Sequence, residues 1–423
     1  MKGKLFMNEK EFLNDLEKLI AQKSVRDLST RTNQAPFGQG IRNAMDVFLD
    51  VAQRLGFETG DVDGYAVYAE LGDSKHELGV LGHLDVVEVG DLKAWRHNPF
   101  ELSREGDVLI ARGVNDDKGP LLCALYAAKE AFDKAQEPKR RVRIIAGGAE
   151  ETTWECMDYY FKHHRQPELG FSPDGNFPIV NGEKGIICFS LKFKNEAFDN
   201  ISASPRVNYI CHDLKFNNKI YTGSQILSRN PQRGENAIDK LIDDFDNTEI
   251  NKRTWAQFIK EYFYKNPYAR QTGFYTEHES MGKLSACMMS LNSEADYVIL
   301  NIDFRYPIST NKEAIIKKLE TLKSRYDFEY EVIREKKPLY VSEENELIQK
   351  LKKAYEIVMH EKADVLTKGG ASYARVMDCG VAFGASFPWD DPKPHMPNEQ
   401  MSIDSIKKAY AIYVEAIRTL LEI

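Results

Sequence analysis

Apolar and polar positions alternate along this chain with two different periods, and the change of period divides the chain into three parts. In the first part, apolar residues at helical spacing over Glu9 to Ala21, Ile41 to Leu55 and Leu121 to Phe132 alternate with short apolar runs typical of strands. Strands that alternate with helices indicate an α/β layer with a largely parallel sheet.

The middle part, from about Gly185, predicts strands and helices in the order strand, helix, strand, strand, helix, strand, which is the split βαβ arrangement. Its segments are Ile186 to Lys194, Asn236 to Phe245, Leu284 to Leu291, Tyr297 to Phe304, Lys312 to Tyr326 and Phe328 to Ile333. The stretch Lys252 to Tyr275 predicts one more helix, with its aromatic face against the domain. From about Ser342 the first pattern resumes, so we predict a second domain inserted into the first.

Short stretches rich in His, Asp and Glu follow four of the strand-like runs in the first part. These are Gly82 to Asp85, Asn115 to Gly119, Glu150-Glu151 and Pro173 to Gly175. The carboxyl ends of parallel strands form one ligand crevice, so we expect these side chains to meet at one rim. A fifth stretch, around His395, lies near the C-terminus. Sets of this composition bind pairs of hard or borderline metal ions.

Composition and charge exclude several other classes of protein. The chain has 423 residues and a net charge of −8, which is not the balance of a nucleic-acid-binding protein. No run approaches the ~18 apolar residues of a membrane helix, and Met1 to Lys10 lacks the apolar core of a signal peptide. The six cysteines include no CxxC pair, which is typical of reduced thiols. We therefore predict a cytoplasmic protein without a nucleic-acid or membrane partner.

In their order along the chain, the five stretches resemble the co-catalytic zinc peptidases that include aminoacylase, carboxypeptidase G and carnosinase. Phe171 to Gly185 and Gly369 to Arg375 are most similar to the bacterial dipeptidase V (Xaa-His dipeptidase) type. The resemblance covers nearly the whole chain. It implies a catalytic domain with a mostly parallel sheet over residues 1–185 and 341–423. It also implies an inserted α+β, ferredoxin-like lid or dimerisation domain over residues 186–340.

The resemblance also implies a role for each charged residue of the five stretches. Two zinc ions would be held by His83, Asp116, Glu151, Asp174 and His395. Asp116 would bridge the two ions, and the family places a cis peptide bond after it. Glu150 would be the general base and acid, and Asp85 would orient the His83 imidazole. Asp117 is expected to cap the helix that follows it.

The substrate residues implied by the resemblance lie later in the chain. Arg375 would hold the free carboxylate of the substrate, and Asn208, in Arg206 to Tyr209, would lie near the carbonyl oxygen. Gly369 and Gly370 would let the backbone approach the substrate closely. The implied activity is hydrolysis of dipeptides or short peptides with two Zn²⁺ per chain, for which Mn²⁺ or Co²⁺ could substitute. The implied assembly is a monomer or a homodimer.

Three positions depart from the family pattern. Ala149 stands where Asp is common, Glu88 where Pro is common, and Leu227 where the inserted domain often carries a His. His212 and His278 are the candidates to replace that histidine. These departures leave two alternative functions open. One is an N-acyl amino acid amidohydrolase with the same metals and base, and the other is a peptide-binding module without turnover.

Overall fold

The computed structural model describes residues 8–204 and 208–423. Residues 1–7, part of the Met1 to Lys10 stretch considered above, and Arg206 and Val207 of the motif around Asn208 lie outside the described residues. Within the described ranges the α-helices are α1 (Glu9–Ile20), α2 (Gln39–Arg54), α3 (Lys118–Lys134), α4 (Glu155–His163), α5 (Ala237–Asp244), α6 (Asn247–Asn251), α7 (Thr254–Tyr262), α8 (Lys312–Tyr326), α9 (Glu346–Met359) and α10 (Ile403–Leu421). None of these helices is long and apolar enough to cross a membrane.

The β-strands of the same ranges are β1 (Glu58–Val62), β2 (Ala66–Leu71), β3 (Glu77–His83), β4 (Ser103–Glu105), β5 (Val108–Ile110), β6 (Arg141–Gly147), β7 (Leu169–Ser172), β8 (Gly175–Asn176), β9 (Ile179–Glu183), β10 (Gly185–Lys194), β11 (Ile201–Ala203), β12 (Asp213–Phe216), β13 (Lys219–Thr222), β14 (Glu277–His278), β15 (Gly282–Lys283), β16 (Ser285–Glu294), β17 (Tyr297–Tyr306), β18 (Phe328–Lys336), β19 (Leu339–Tyr340), β20 (Val365–Lys368), β21 (Gly380–Ala382), β22 (Ala385–Ser386) and β23 (Gln400–Ser402). The chain forms two compact units. The first unit is Met1–Asn181, Val341–Leu366 and Ser372–Ile423, and the second unit is Gly182–Tyr340 and Thr367–Ala371.

The first unit is built on a sheet in the order β1-β2-β6-β3-β7-β21-β9. The four strands β6, β3, β7 and β21 are parallel, and their neighbours β2 and β9 run antiparallel to them. All seven residues of β3 are buried, as expected of a strand covered on both faces. The predicted α/β class with a mostly parallel central sheet is therefore confirmed.

Strand β7 lies inside this sheet, although the apolar pattern did not predict its extent. It has only four residues and includes Gly170, which weakens the apolar signal. The glycine is required because a Cβ at this position would lie 2.3 Å from the carbonyl oxygen of Gly79 in β3. The close approach of the two strands brings the end of β7 next to the end of β3.

The second unit is built on an antiparallel sheet in the order β16-β17-β10-β18, with α5 following β10 and α8 joining β17 to β18. This is the predicted ferredoxin-like α+β arrangement, which is confirmed. The helix predicted over Lys252 to Tyr275 is shorter than expected, because α7 ends at Tyr262. Its aromatic face is in the core, where Trp255 and Phe258 are fully buried.

Asp239 of α5 carries a carboxylate that is largely removed from water in the second unit, and its replacement tests the effect of this burial on stability. Burial raises its pKa to about 6, although a backbone N–H of Lys265 donates to its carboxylate at 3.0 Å. We expect Asp239→Asn to stabilise the protein at pH 7 by about 1–2 kcal/mol, because it keeps the acceptor and removes a desolvated charge. The gain should be absent below about pH 4, where the carboxyl is protonated in both folded and unfolded chains, and should grow up to about pH 6.

Thermal unfolding of this variant at pH 4 and pH 7 checks the expectation. Asp244→Asn on the same helix is the matched control, because Lys219 lowers the pKa of that exposed carboxylate. The control should be neutral or slightly destabilising at pH 7. Equal stability of Asp239→Asn and the parent protein at pH 7 would contradict the expectation.

Candidate metal centre

Three of the five predicted stretches lie at the carboxyl ends of parallel strands. His83 is the last residue of β3, Glu150 and Glu151 follow β6, and Asp174 follows β7. Asp116 lies in the loop that leads into α3. The fifth stretch, with His395, lies between β22 and β23. Strand direction brings the first three stretches together, and the loops of Asp116 and His395 complete the site.

The first set of donor atoms comes from His83, Asp116 and Asp174, whose ligand atoms lie within 4.8 Å of one another. His83 is fully buried, and its Nδ1 donates to the carbonyl oxygen of Asp85 at 2.9 Å. The other ring nitrogen, Nε2, lies 3.0 Å from Asp116 Oδ1 and 3.9 Å from Asp174 Oδ2. A neutral imidazole in this tautomer directs its lone pair at two carboxylates, and a cation between them resolves that repulsion.

The second set comes from Asp116, Glu151 and His395. His395 Nε2 lies 3.0 Å from Asp116 Oδ2 and 3.0 Å from Glu151 Oε1. Asp116 therefore offers one oxygen to each set, which is what a bridging carboxylate requires. Glu151 Oε1 is buried, and it makes no hydrogen bond of acceptable geometry with the residues that the structure describes. A metal ion at this position would supply the missing partner of that oxygen.

The charges of the centre also favour bound cations. Burial and the neighbouring charge of Asp116 raise the pKa of Glu151 to about 7, against the lowering effect of His395. Burial likewise raises the pKa of Glu150 well above its usual range, against the lowering effect of His83. Carboxylates crowded in a desolvated site repel one another unless positive charge is added. The two donor sets, with two histidines and three carboxylates, fit a pair of borderline divalent cations.

Glu150 belongs to neither donor set, although it adjoins Glu151. Its position is fixed through its backbone, because Asp85 Oδ1 accepts from Glu150 N and Asp85 Oδ2 accepts from Glu151 N, each at 3.0 Å. The Asp85 carboxylate is 3.5 Å from His83 Nδ1, farther than the backbone carbonyl of Asp85. Asp85 therefore touches the imidazole mainly through its backbone, and its side chain holds the Glu150-Glu151 turn. The resemblance had implied contact of the imidazole with the Asp85 carboxylate, and it had not implied the contacts of that carboxylate with the Glu150-Glu151 turn.

The expectation that Asp117 caps α3 is wrong. Asp117 occupies the N-cap position, but its side chain accepts no hydrogen bond from the helix. It is fully buried, and its Oδ2 accepts from the backbone N–H of His83 at 3.2 Å. A Cβ at Gly82 would lie 2.3 Å from that oxygen, so the strand end can approach the carboxylate only at a glycine. The peptide bond between Asp116 and Asp117 is cis.

Sequence reasoning missed a buried ion pair behind the centre, formed by Arg112 and Glu399. Both side chains are at most 1% exposed, and Arg112 Nη1 donates to Glu399 Oε2 at 2.8 Å. The same carboxylate accepts from the backbone N–H groups of Gly113, Asn115 and Asp116 at 2.9 to 3.1 Å. Glu399 thus ties the loop of Asp116 to the segment that follows His395. No local pattern around Glu399 distinguishes it from a surface carboxylate, so the sequence carried no signal for this contact.

Comparison with known proteins assigns the chain to a family. The model of peptidase family M20/M25/M40 matches residues 79–419. The chain belongs to this family. It is therefore an enzyme of the peptidase class, as the resemblance implied. "Putative dipeptidase YtjP" of Bacillus subtilis is 30% identical over 456 residues, which cover 97% of each chain.

Solved structures support the same fold for this M20 peptidase. An M20 family metallo-carboxypeptidase from Sulfolobus solfataricus has a TM-score of 0.65 at 19% identity, covering 98% of this chain and 100% of that one. Human carnosine dipeptidase 1 has a TM-score of 0.65 at 16% identity, covering 98% and 97% of the two chains. At these identities the likeness concerns the fold.

The predicted substrate residues of this M20 peptidase divide between the two units. Arg375 belongs to the first unit and is only 2% exposed, in the short 3₁₀ turn Tyr373–Val376. Asn208, Gly369 and Gly370 belong to the second unit. The replacement candidate His212 is 4% exposed and contacts the carbonyl oxygen of Ile210 at 3.3 Å. Their roles in substrate binding stay predictions.

Proposed function

We propose that this M20 peptidase hydrolyses the peptide bond of dipeptides or short peptides, with two Zn²⁺ ions and with Glu150 as the general base. The observation that carries the proposal is that only one of two adjacent glutamates belongs to a metal-donor set. Asp116 and Glu151 contribute carboxylate oxygens to the donor sets that contain the two histidines. Glu150, next to Glu151, belongs to neither set. When bound, a zinc pair would lower the pKa of a bound water molecule towards neutral pH and would polarise the scissile carbonyl.

Glu150 performs the proton transfers in this proposal. An amide carbonyl resists attack by neutral water, so the water must lose a proton and the leaving amine must gain one. A carboxylate that binds no metal ion has both oxygens available to accept a proton. Burial raises the pKa of Glu150, which matches a group that must take up a proton and release it again. The backbone N–H of Glu150 donates to Asp85, which fixes the backbone of Glu150 beside Glu151.

The substrate and the domain roles are part of the same proposal. The name of the Bacillus subtilis relative supports dipeptides as the substrate class. Arg375 would bind the free carboxylate, and Asn208, Gly369 and Gly370 would contact the peptide backbone. Residues 186–340 would form the inserted lid domain, with residues 1–185 and 341–423 as the catalytic domain. Mn²⁺ or Co²⁺ in place of Zn²⁺ would preserve the chemistry, because carboxylate-rich sites accept these ions as well.

Metal removal and titration test the proposed function. We expect chelator-treated protein to lose hydrolysis of a dipeptide panel and to regain it as added Zn²⁺ or Mn²⁺ approaches two ions per chain. N-acetyl amino acids are the comparison substrates and should be hydrolysed far more slowly. Faster release of acetate than of amino acids would support the amidohydrolase instead. Uptake of two ions without hydrolysis of either class would support a binding module.

A further inference from the structure

A buried thiol lies next to the turn that leads into Glu150. Cys156 of α4 is fully buried, and the backbone N–H groups of Gly148 and Ala149 interact with its Sγ. Burial raises the pKa of this thiol to about 12, against the lowering effects of Tyr373 and of the two N–H groups. The group is therefore a neutral thiol at neutral pH, which can both donate and accept a weak hydrogen bond.

The hydroxyl group of Tyr373 is a further partner of this sulfur. Its oxygen lies 2.8 Å from Cys156 Sγ, and it has no second hydrogen-bond partner in the part of the chain that the structure describes. Tyr373 is also fully buried, at the start of the 3₁₀ turn Tyr373–Val376. Within the first unit, the pair therefore links this turn, the start of α4 and the end of β6.

The two glycines at the end of β6 are required by this packing. A Cβ at Gly147 would lie 2.6 Å from the hydroxyl oxygen of Tyr373, and a Cβ at Gly148 would lie 2.6 Å from Met45 Cε of α2. The backbone that precedes Glu150 is thus enclosed between a tyrosine and a methionine, with no room for a side chain. Such close packing transmits small shifts of one wall to the segment inside it.

The ring of Tyr373 packs near the metal centre as well. It meets the His83 imidazole edge to face, with 6.1 Å between the ring centroids, and it meets Trp154 in the same way at 5.5 Å. His83 belongs to the first donor set. One side chain therefore packs on a metal-donor imidazole through its ring and supports the turn before Glu150 through its hydroxyl group.

We propose that Cys156 and Tyr373 are positioning residues for Glu150, an inference that rests on the proposed function. The Asp85 carboxylate accepts from the backbone N–H groups of Glu150 and Glu151, and the Cys156 sulfur interacts with the two N–H groups just before them. Four successive N–H groups are thereby divided between two buried acceptors. Tyr373 holds the second acceptor in place, so the turn keeps one orientation and presents the Glu150 carboxylate in it.

Kinetics of metal-loaded variants of the full chain test the inference. We expect Cys156→Ala and Tyr373→Phe to lower kcat on glycyl-leucine about ten- to a hundredfold, with KM and metal content within about twofold of the parent enzyme. Cys156→Ser should retain most of the activity, because a hydroxyl group also donates and accepts at this position. An unchanged kcat in both Cys156→Ala and Tyr373→Phe would overturn the inference.

Cys123→Ala and Tyr160→Phe are the matched controls. Each removes a fully buried polar group of the first unit that contacts another segment, Cys123 Sγ at the carbonyl oxygen of Ile406 and the Tyr160 hydroxyl at Arg143. Both controls should keep the kcat of the parent enzyme, even where they lower its stability. An equal loss of kcat in the controls would reduce the role of the pair to stabilising the fold.

A double variant separates positioning from general damage. If Cys156 acts through Glu150, Cys156→Ala should lower kcat by no more than about twofold further once Glu150→Gln is present. Damage unrelated to Glu150 would lower kcat by the same factor in both backgrounds and would overturn the inference.

Amide hydrogen exchange of the metal-loaded protein tests the turn without turnover. Relative to strand β3, exchange in the segment 147–151 should be about tenfold faster or more in Cys156→Ala and Tyr373→Phe than in the parent protein, and unchanged in Cys123→Ala. Unchanged exchange in the first two variants, or faster exchange with a normal kcat, overturns the inference. Faster exchange in a protein whose parent hydrolyses no dipeptide would contradict the proposed function and still establish that the pair holds the turn.

Discussion

Replacement of Glu150 by glutamine is expected to lower kcat by about 10²- to 10⁴-fold while both metal ions remain bound. The change removes one charge and leaves the size and shape of the side chain nearly unaltered. Glutamine cannot take a proton from water at neutral pH, so the step assigned to Glu150 is lost. The donor atoms of both sets belong to other residues, so metal affinity should change little.

Glu151→Gln provides the contrast one residue along the chain. Its Oε1 lies 3.0 Å from His395 Nε2 in the second donor set, so this variant should lose affinity for one metal ion before it loses proton transfer. Zinc content by elemental analysis and kcat on a dipeptide at saturating Zn²⁺ separate the two effects. Excess metal should restore part of the activity of Glu151→Gln and none of the activity of Glu150→Gln.

Glu344→Gln is the matched control, because Glu344 is an exposed glutamate of the first unit outside the metal centre. It should retain the kcat and the metal content of the parent enzyme. Two bound ions with near-normal kcat in Glu150→Gln would remove Glu150 from the proposed mechanism. Loss of both ions in that variant would place Glu150 among the ligands instead.

Strand direction explains why three of the predicted positions of the centre lie close together. His83, Glu151 and Asp174 follow parallel strands, and the crevice at the carboxyl ends of such strands collects whatever polar residues follow them. The order of the stretches then allowed the resemblance to assign a role to each residue. The sheet of the second unit was predictable for a similar reason, because alternation along β10 and β17 marks strands with one covered face.

The contacts that the sequence did not predict depend on tertiary approach. Asp85 and Asp117 each look like an ordinary carboxylate near a strand or helix end, and only the fold places backbone N–H groups of other segments on their oxygens. Hydrophobic periodicity indicates which face of a helix or strand is buried, but it does not indicate which distant residues pack against that face.

Glu399→Gln is expected to weaken binding of the metal pair by about 10- to 100-fold and to destabilise the protein by about 3–5 kcal/mol. The two oxygens of Glu399 each accept hydrogen bonds from two N–H donors. In glutamine an NH₂ group replaces one oxygen, and this group would face two donors and could accept from neither. The buried charge of Arg112 would also lose its only ion-pair partner among the described residues. The loop would no longer be fixed at the backbone N–H of Asp116, so the bridging carboxylate would lose its orientation.

Loss of stability alone must be separated from loss of metal positioning. Asp199→Asn is the matched control, because Asp199 and Arg253 form a buried pair in the second unit with contacts of 2.8 and 2.9 Å. This control should be destabilised by a similar amount and should bind metal normally. Competition titration with a chromophoric chelator, and the absorption spectrum of the Co²⁺-loaded protein, measure the positioning effect directly. Normal metal affinity and an unchanged Co²⁺ spectrum in Glu399→Gln would show that the pair stabilises the fold without orienting Asp116.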